Sequence, residues 1–216
     1  MPFSWDPRIA RYRDGDTGRL VARSAVLGIV ESSITASAIA PPVTIDGIVT
    51  AGSNFLAQMV GNGLLDPGDW NNLMRGEIKR EYIRQYLLGI GGMEQMTPAR
   101  WGSIGGMLGE QYRYLDNFTA EIAAGNLSEK QIRARAEMYI NSARESYERA
   151  NRQAQVAAGM TEMFWALNPA AEHCVDCEDF AAIGWVPIES EAFDGCLPCS
   201  GCTKCLMSCQ CNIEYR

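Results

Sequence analysis

The sequence predicts a mainly α-helical body containing one long helix, followed by a small, irregular, cysteine-rich C-terminal module with short strands. Three observations predict this. Helix start and stop signals recur between Ser24 and Gly159. Within that span an apolar stripe with alternating steps of three and four residues runs over about thirty positions. After Gly159 the grammar changes to aromatic residues, turns and cysteines. The chain has 216 residues, of which 47% are hydrophobic, enough to bury a core without covalent staples.

Residues 1–23 have turn pairs at Asp14-Gly15 and Thr17-Gly18 and no sustained apolar period, so they read as an extended arm. Residues 24–160 form the helical body. Ser24 caps a helix to about Ile39, stopped by Pro41-Pro42, and a second runs from about Ile45 to Val60. Both are rich in Ala, Ile, Val and Ser and nearly free of charge, which suits burial in a core or against another subunit. Asp66-Pro67 supplies an N-cap with proline at the first helical position, starting a helix to about Leu88, and Thr97-Pro98 repeats the device. The helix after Thr97 carries Gly102, Gly105, Gly106 and Gly109, read as sites where a neighbouring backbone approaches closely. These glycines lack the GKS/T ending or the strand context of a phosphate loop.

Gly125-Asn126 closes that helix, and Ser128 with Gln131 forms a capping box. The long helix follows, with Ile132, Ala136, Tyr139, Ala143, Tyr147, Ala150, Ala154 and Ala157 on one face. Arg133, Arg135, Arg144, Glu145, Glu148, Arg149 and Arg152 lie on the face assigned to solvent. At 1.5 Å per residue the helix is roughly 45 Å long, a length that suits a bridge or an assembly strut. Gly159 ends it. "TEMFWALNP" is strand-like and opens the module, residues 161–216.

The net charge of −7 is unevenly spread. Residues 1–23 carry five arginines against three aspartates, and residues 66–160 balance twelve acids with twelve bases. Residues 161–216 hold nine acids against Lys204 and Arg216 alone. An acidic tail is repelled by phosphates, which argues against sequence-specific nucleic-acid binding. Glu31, Pro41-Pro42 and Asp46 interrupt the low-charge segment, so no membrane span is expected. The first residues lack the apolar stretch of a signal peptide, which points to a reducing cytoplasm where clustered cysteines bind metal more often than they pair.

Cys174 and Cys177 have the two-residue gap of a zinc knuckle. Cys209 and Cys211 stand at i and i+2 of an extended segment, so both sulfurs face one side. These two pairs make one all-sulfur tetrahedral site, and its metal would supply folding energy to a loop with little apolar content. Cys196, Cys199, Cys202 and Cys205 recur every third residue and are candidates for a second site, giving one or two zinc ions. An alternative remains open: Cys199, Cys202, Cys205 and Cys209 reproduce a ferredoxin-like iron–sulfur run, although Gln210 replaces its usual proline. Disulfides or free thiols are the third option. His173, the only histidine, adjoins Cys174 and is read as a bystander, because adjacent residues rarely both reach one ion. With no second histidine, neither a hydrolytic zinc site nor a Cys-His nucleophile is apparent, and no enzymatic activity is expected.

The segments "YRYLDNFTAEIAAGNLSEKQIRARAEMYINSARESYE", "AAGMTEMFWALNPAAEHCVDCEDFAAIGWVP" and "GCTKCLMSCQCNIEYR" resemble the minor head, or head-morphogenesis, proteins of tailed bacteriophages related to protein F of phage Mu. The resemblance covers about residues 110–216. It is carried most specifically by Cys174 and Cys177 after Trp165 and Pro169, by "GWVP" at Gly184 to Pro187, and by Cys205, Cys209 and Cys211 before the terminal tyrosine. It implies a low-copy structural component of the virion, assembled in the bacterial cytoplasm. The implied partners are portal, capsid or neck proteins or a second copy, and the implied role is in head assembly or DNA delivery. Cys196, Cys199 and Cys202 are additions to the family pattern, and Cys205 stands near the place of a histidine often found there. Outside the family reading, an iron–sulfur electron-transfer or redox-sensing protein and a zinc-module regulatory adaptor are the rival functions.

Overall fold

A computed structural model of the chain describes residues 3–6, 11–14, 20–21, 45–193 and 195–216, with side chains from residue 52 onward. The helix expected over residues 24–39 lies outside the described residues. Strands β1 (Phe3–Asp6), β2 (Arg11–Asp14) and β3 (Leu20–Val21) form an antiparallel meander within the segment read as an arm.

The chain is mainly helical, as its sequence predicts. Helix α1 spans Ile45–Gly61, α2 Pro67–Ile90 and α3 Pro98–Ala123. Their starts are built locally. The Asp66 carboxylate accepts the backbone N–H of Gly68 at 2.8 Å and of Asp69 at 3.2 Å, and the Thr97 hydroxyl accepts that of Arg100 at 3.3 Å. The capping box before α4 (Glu129–Asn141) is reciprocal. Ser128 N–H donates to Gln131 Oε1 at 2.9 Å, while Gln131 N–H donates to Ser128 Oγ at 3.4 Å.

The long helix is a run of 29 residues in two parts, α4 and α5 (Ala143–Ala157), divided at Ser142. Ser142 keeps right-handed helical dihedrals (φ −61°, ψ −21°), so the run is tightened there rather than turned. Its hydroxyl lies 2.9 Å from the buried Tyr82 hydroxyl, and Ser146 Oγ–H reaches the carbonyls of Ala143 and Tyr82. Side chains that bond helix carbonyls in this way disturb the regular ladder. The run ends in a Schellman motif: Gly159 (φ 88°) donates to Val156 O and Met160 to Gln155 O, each at 3.0 Å.

Two compact units divide the chain, residues 1–78 with 111–140 and residues 79–110 with 141–216. The first is organised by Trp70, Phe118 and Tyr139: Trp70 meets Phe118 edge-on at 5.6 Å, and Phe118 stacks on Tyr139 at 6.0 Å. In the second, α2 and α5 pack closely at Gly89, where a Cβ would lie 3.0 Å from that of Ala150 and collide with the Tyr147 carbonyl. Among the described residues, the glycines expected to serve this purpose do not. Gly102, Gly105, Gly106 and Gly109 face open space among the described residues, because only Ile104 and Leu108 of that stretch of α3 turn inward.

The cysteine-rich module has a sheet in the order β5-β4-β6. Its centre is β4 (Glu162–Ala166), antiparallel both to β5 (Val186–Pro187) and to β6 (Asn212–Tyr215), with Trp165 opposite Ile213. Helix α6 (Val175–Ile183) packs on it. Burial alternates along β4, and Met163 and Trp165 point into the core. Trp165, Phe180 and Phe193 form an aromatic triangle with centroids 5.0 to 5.7 Å apart, joined by Val186, Ile188, Leu197 and Ile213. The expectation of a loop with little apolar content is therefore corrected: this module has an apolar core, and its cysteines continue it. Among the described residues no helix is long and apolar enough to cross a membrane.

Candidate metal centre

Each pair of cysteines takes its position from local backbone. Cys174 is the N-cap of α6 and Cys177 lies in its first turn, where the Cys177 N–H donates to the Cys174 carbonyl at 3.0 Å. One helical turn therefore puts both sulfurs on one face. Cys209 is extended (φ −61°, ψ 128°) and Gln210 is exposed, while Cys209 and Cys211 are buried just before β6. That alternation turns both sulfurs inward.

The two pairs meet, and Cys205 joins them. Cys177 Sγ lies 3.7 Å from Cys205 Sγ and 3.7 Å from Cys209 Sγ. Two groups have all their sulfurs within 4.8 Å of one another: Cys174, Cys177 and Cys205, and Cys177, Cys209 and Cys211. Zinc–sulfur bonds of about 2.3 Å would set tetrahedral sulfurs ~3.8 Å apart, and the two 3.7 Å separations about Cys177 match that spacing. The cluster can hold a metal ion.

The remaining cysteines are placed elsewhere. Cys196 and Cys202 are joined to each other as a disulfide. Cys199 is buried and its thiol donates to the Cys209 carbonyl at 3.1 Å. The structure thus assembles the pairs 174/177 and 209/211, adds Cys205, and gathers neither the quartet 196/199/202/205 nor the ferredoxin-like run 199/202/205/209.

Side chains outside the cysteines hold this arrangement. Arg144 of α5 donates to the carbonyl of Cys209 at 3.0 Å and to that of Cys211 at 2.6 Å, and it also reaches the Asn212 side chain. One guanidinium fork therefore fixes the segment that carries two sulfurs. Asp176, between Cys174 and Cys177, accepts the Lys204 N–H at 2.7 Å and pairs with its ammonium at 3.6 Å, which ties the Cys205 turn to α6. Arg152 donates to the Ile188 carbonyl. His173 Nδ1 lies 3.7 Å from Cys211 Sγ.

Burial pushes the thiols of Cys177, Cys205 and Cys209 above their ordinary range, and that of Cys199 up to about 12. Cys174 differs: burial works against ionisation, but backbone N–H groups of Cys177 and Cys205 bring its thiol below the ordinary value. Sulfurs this close and this buried become thiolates together only around a cation, so metal binding here releases protons.

Glu148 is 1% exposed and its carboxylate oxygens have no hydrogen-bond partner among the described residues. Arg144, 3.8 Å away, spends its N–H groups on the cysteine carbonyls. Burial therefore outweighs the attraction and raises the Glu148 carboxyl to about 7.

The sequence reading assigned Arg144, Glu148 and Arg152 to solvent. Charges at helical spacing look the same whether they face water or a neighbouring module, and only the fold reveals which. Comparison of the chain with protein-family models, with curated proteins and with solved structures finds no match.

Proposed function

We propose that the chain is a structural component of a tailed-phage virion, associated with the head or neck, whose acidic C-terminal module is fixed by zinc and docks on portal, capsid or neck proteins. The observation that carries the metal part is the convergence of five sulfurs from three separate segments, with Cys177 Sγ 3.7 Å from both Cys205 Sγ and Cys209 Sγ. All-thiolate donors suit zinc among the soft-ligand metals, and a sulfur-saturated site is structural rather than hydrolytic. The virion part rests on the resemblance of residues 110–216 to minor head proteins, including Cys174, Cys177, Cys205, Cys209 and Cys211.

The docking surface follows from charge. Nine acids against two bases in residues 161–216 favour a basic protein surface over DNA. Zinc would hold the chain reversal between α6 and β6, and the apolar core would do the rest. Two experiments test the reading. Mass spectrometry of purified virions is expected to find this chain at low copy beside the portal protein; its absence from particles overturns the virion assignment. Elemental analysis of the reduced, purified chain is expected to find zinc; a chain purified without any metal, and unable to take up zinc, overturns the clamp.

A further inference from the structure

The sulfur cluster has the connectivity of two metal ions sharing one thiolate. Around a single tetrahedral ion every ligand pair is an edge of the same tetrahedron, so four sulfurs would all lie about 3.8 Å from one another. Among the described residues no such group of four exists. Instead there are two groups of three, and Cys177 belongs to both. Its Sγ lies 3.7 Å from that of Cys205 and 3.7 Å from that of Cys209, and it is 1% exposed. From this we infer that the module binds two divalent ions bridged by the Cys177 sulfur, one held by Cys174 and Cys205 and the other by Cys209 and Cys211.

Three features of the site support that partition. One tetrahedral divalent ion takes only four of the five thiolates, leaving a formal charge of −2 and one thiol unligated, whereas two ions use all five and leave −1. The Arg144 guanidinium, on the carbonyls of Cys209 and Cys211, stands next to that residual charge. A thiolate sulfur also has lone pairs enough to ligate two ions at once, so no additional residue is required at the shared corner.

His173 then acquires a role. Adjacent residues seldom reach one ion, yet here Cys174 belongs to one triad while His173 Nδ1 stands 3.7 Å from Cys211 of the other. A tetrahedral ion with one nitrogen and one sulfur ligand sets them ~3.6 Å apart. His173 is thus assigned as the fourth ligand of the Cys209/Cys211 ion. The Cys174/Cys205 ion lies toward the half-buried edge of the cluster. Each ligating thiol gives its proton to solvent, and no electron is transferred.

This inference rests on the metal-clamp reading, and one experiment separates the two. The reduced full-length chain is titrated with cadmium-113 and followed by cadmium NMR and native mass spectrometry. Two bound ions per chain are expected, with two resonances split by coupling to each other through the shared sulfur. Binding of a single ion overturns the two-ion inference and leaves the clamp standing; binding of none overturns both. Two ions without mutual coupling contradict the bridge and would place the second ion elsewhere, as on reduced Cys196, Cys199 and Cys202. In His173→Gln one resonance is expected to move and the other to stay; if neither moves, His173 is no ligand. The coupling is read in the unmutated chain, so the result does not depend on whether Cys177→Ser folds.

Discussion

At the scale of single residues, the cluster depends on side chains that never touch a metal. Arg144 fixes the carbonyls on either side of Gln210, so the direction of two sulfurs follows from one guanidinium. Arg144→Lys keeps the charge and loses the two-pronged grip. It is expected to weaken zinc binding by about 10- to 100-fold, the range found when groups supporting metal ligands are removed, as measured by competition with a chromophoric chelator. Unchanged affinity would make the contact incidental. Glu148 gives a prediction with a definite sign. Its folded carboxyl titrates at about 7, against roughly 4.3 in an unfolded chain. The protonated form is favoured by folding, so this contribution is intact below the unfolded value and is lost as pH rises to about 7. Relative to Glu148→Gln, the natural chain should lose on the order of 3 kcal/mol between pH 4.5 and 7, read from urea unfolding of both proteins at each pH. Parallel stability curves would mean that Glu148 is hydrated.

At the scale of elements, the helix boundaries were legible because their causes are local. Asp66, Thr97, Ser128 with Gln131, and Gly159 each act within a few residues, and each makes the hydrogen bond its position predicts. Ser128→Ala is expected to lower stability by about 1 kcal/mol in thermal or denaturant unfolding. The break at Ser142 was illegible, since its partner Tyr82 lies 60 positions away. The glycines show the same limit. Composition revealed which helices contain them, but not that Gly89 meets a neighbouring backbone while Gly105 and Gly106 meet nothing within 4 Å among the described residues. Gly89→Ala should therefore lower the melting temperature. Gly105→Ala should raise it, because an exposed helical glycine costs roughly 1 kcal/mol relative to alanine. If both substitutions stabilise, the close packing of α2 on α5 is wrong.

Across the whole molecule, the site was half legible in the sequence. The pairs Cys174/Cys177 and Cys209/Cys211 follow from the periods of a helical turn and an extended strand, and these act over two or three residues. The choice of Cys205 over Cys196, Cys199 and Cys202 depends on how the chain reverses between α6 and β6, guided by the Asp176–Lys204 contact, and no spacing rule encodes that. The aromatic core of Trp165, Phe180 and Phe193 was hidden for a similar reason, because its rings are scattered over 29 positions and meet only when α6 lies against the sheet. That core changes what metal loss should do. Chelation is expected to release the segments that carry sulfur while the sheet and the helical body persist. Hydrogen exchange of the reduced chain, before and after zinc removal, resolves this segment by segment. The account predicts at least ~10-fold faster exchange at residues 174–178 and 203–211, with residues 67–157 unchanged. Equal protection of residues 174–178 and 203–211 with and without zinc would contradict it.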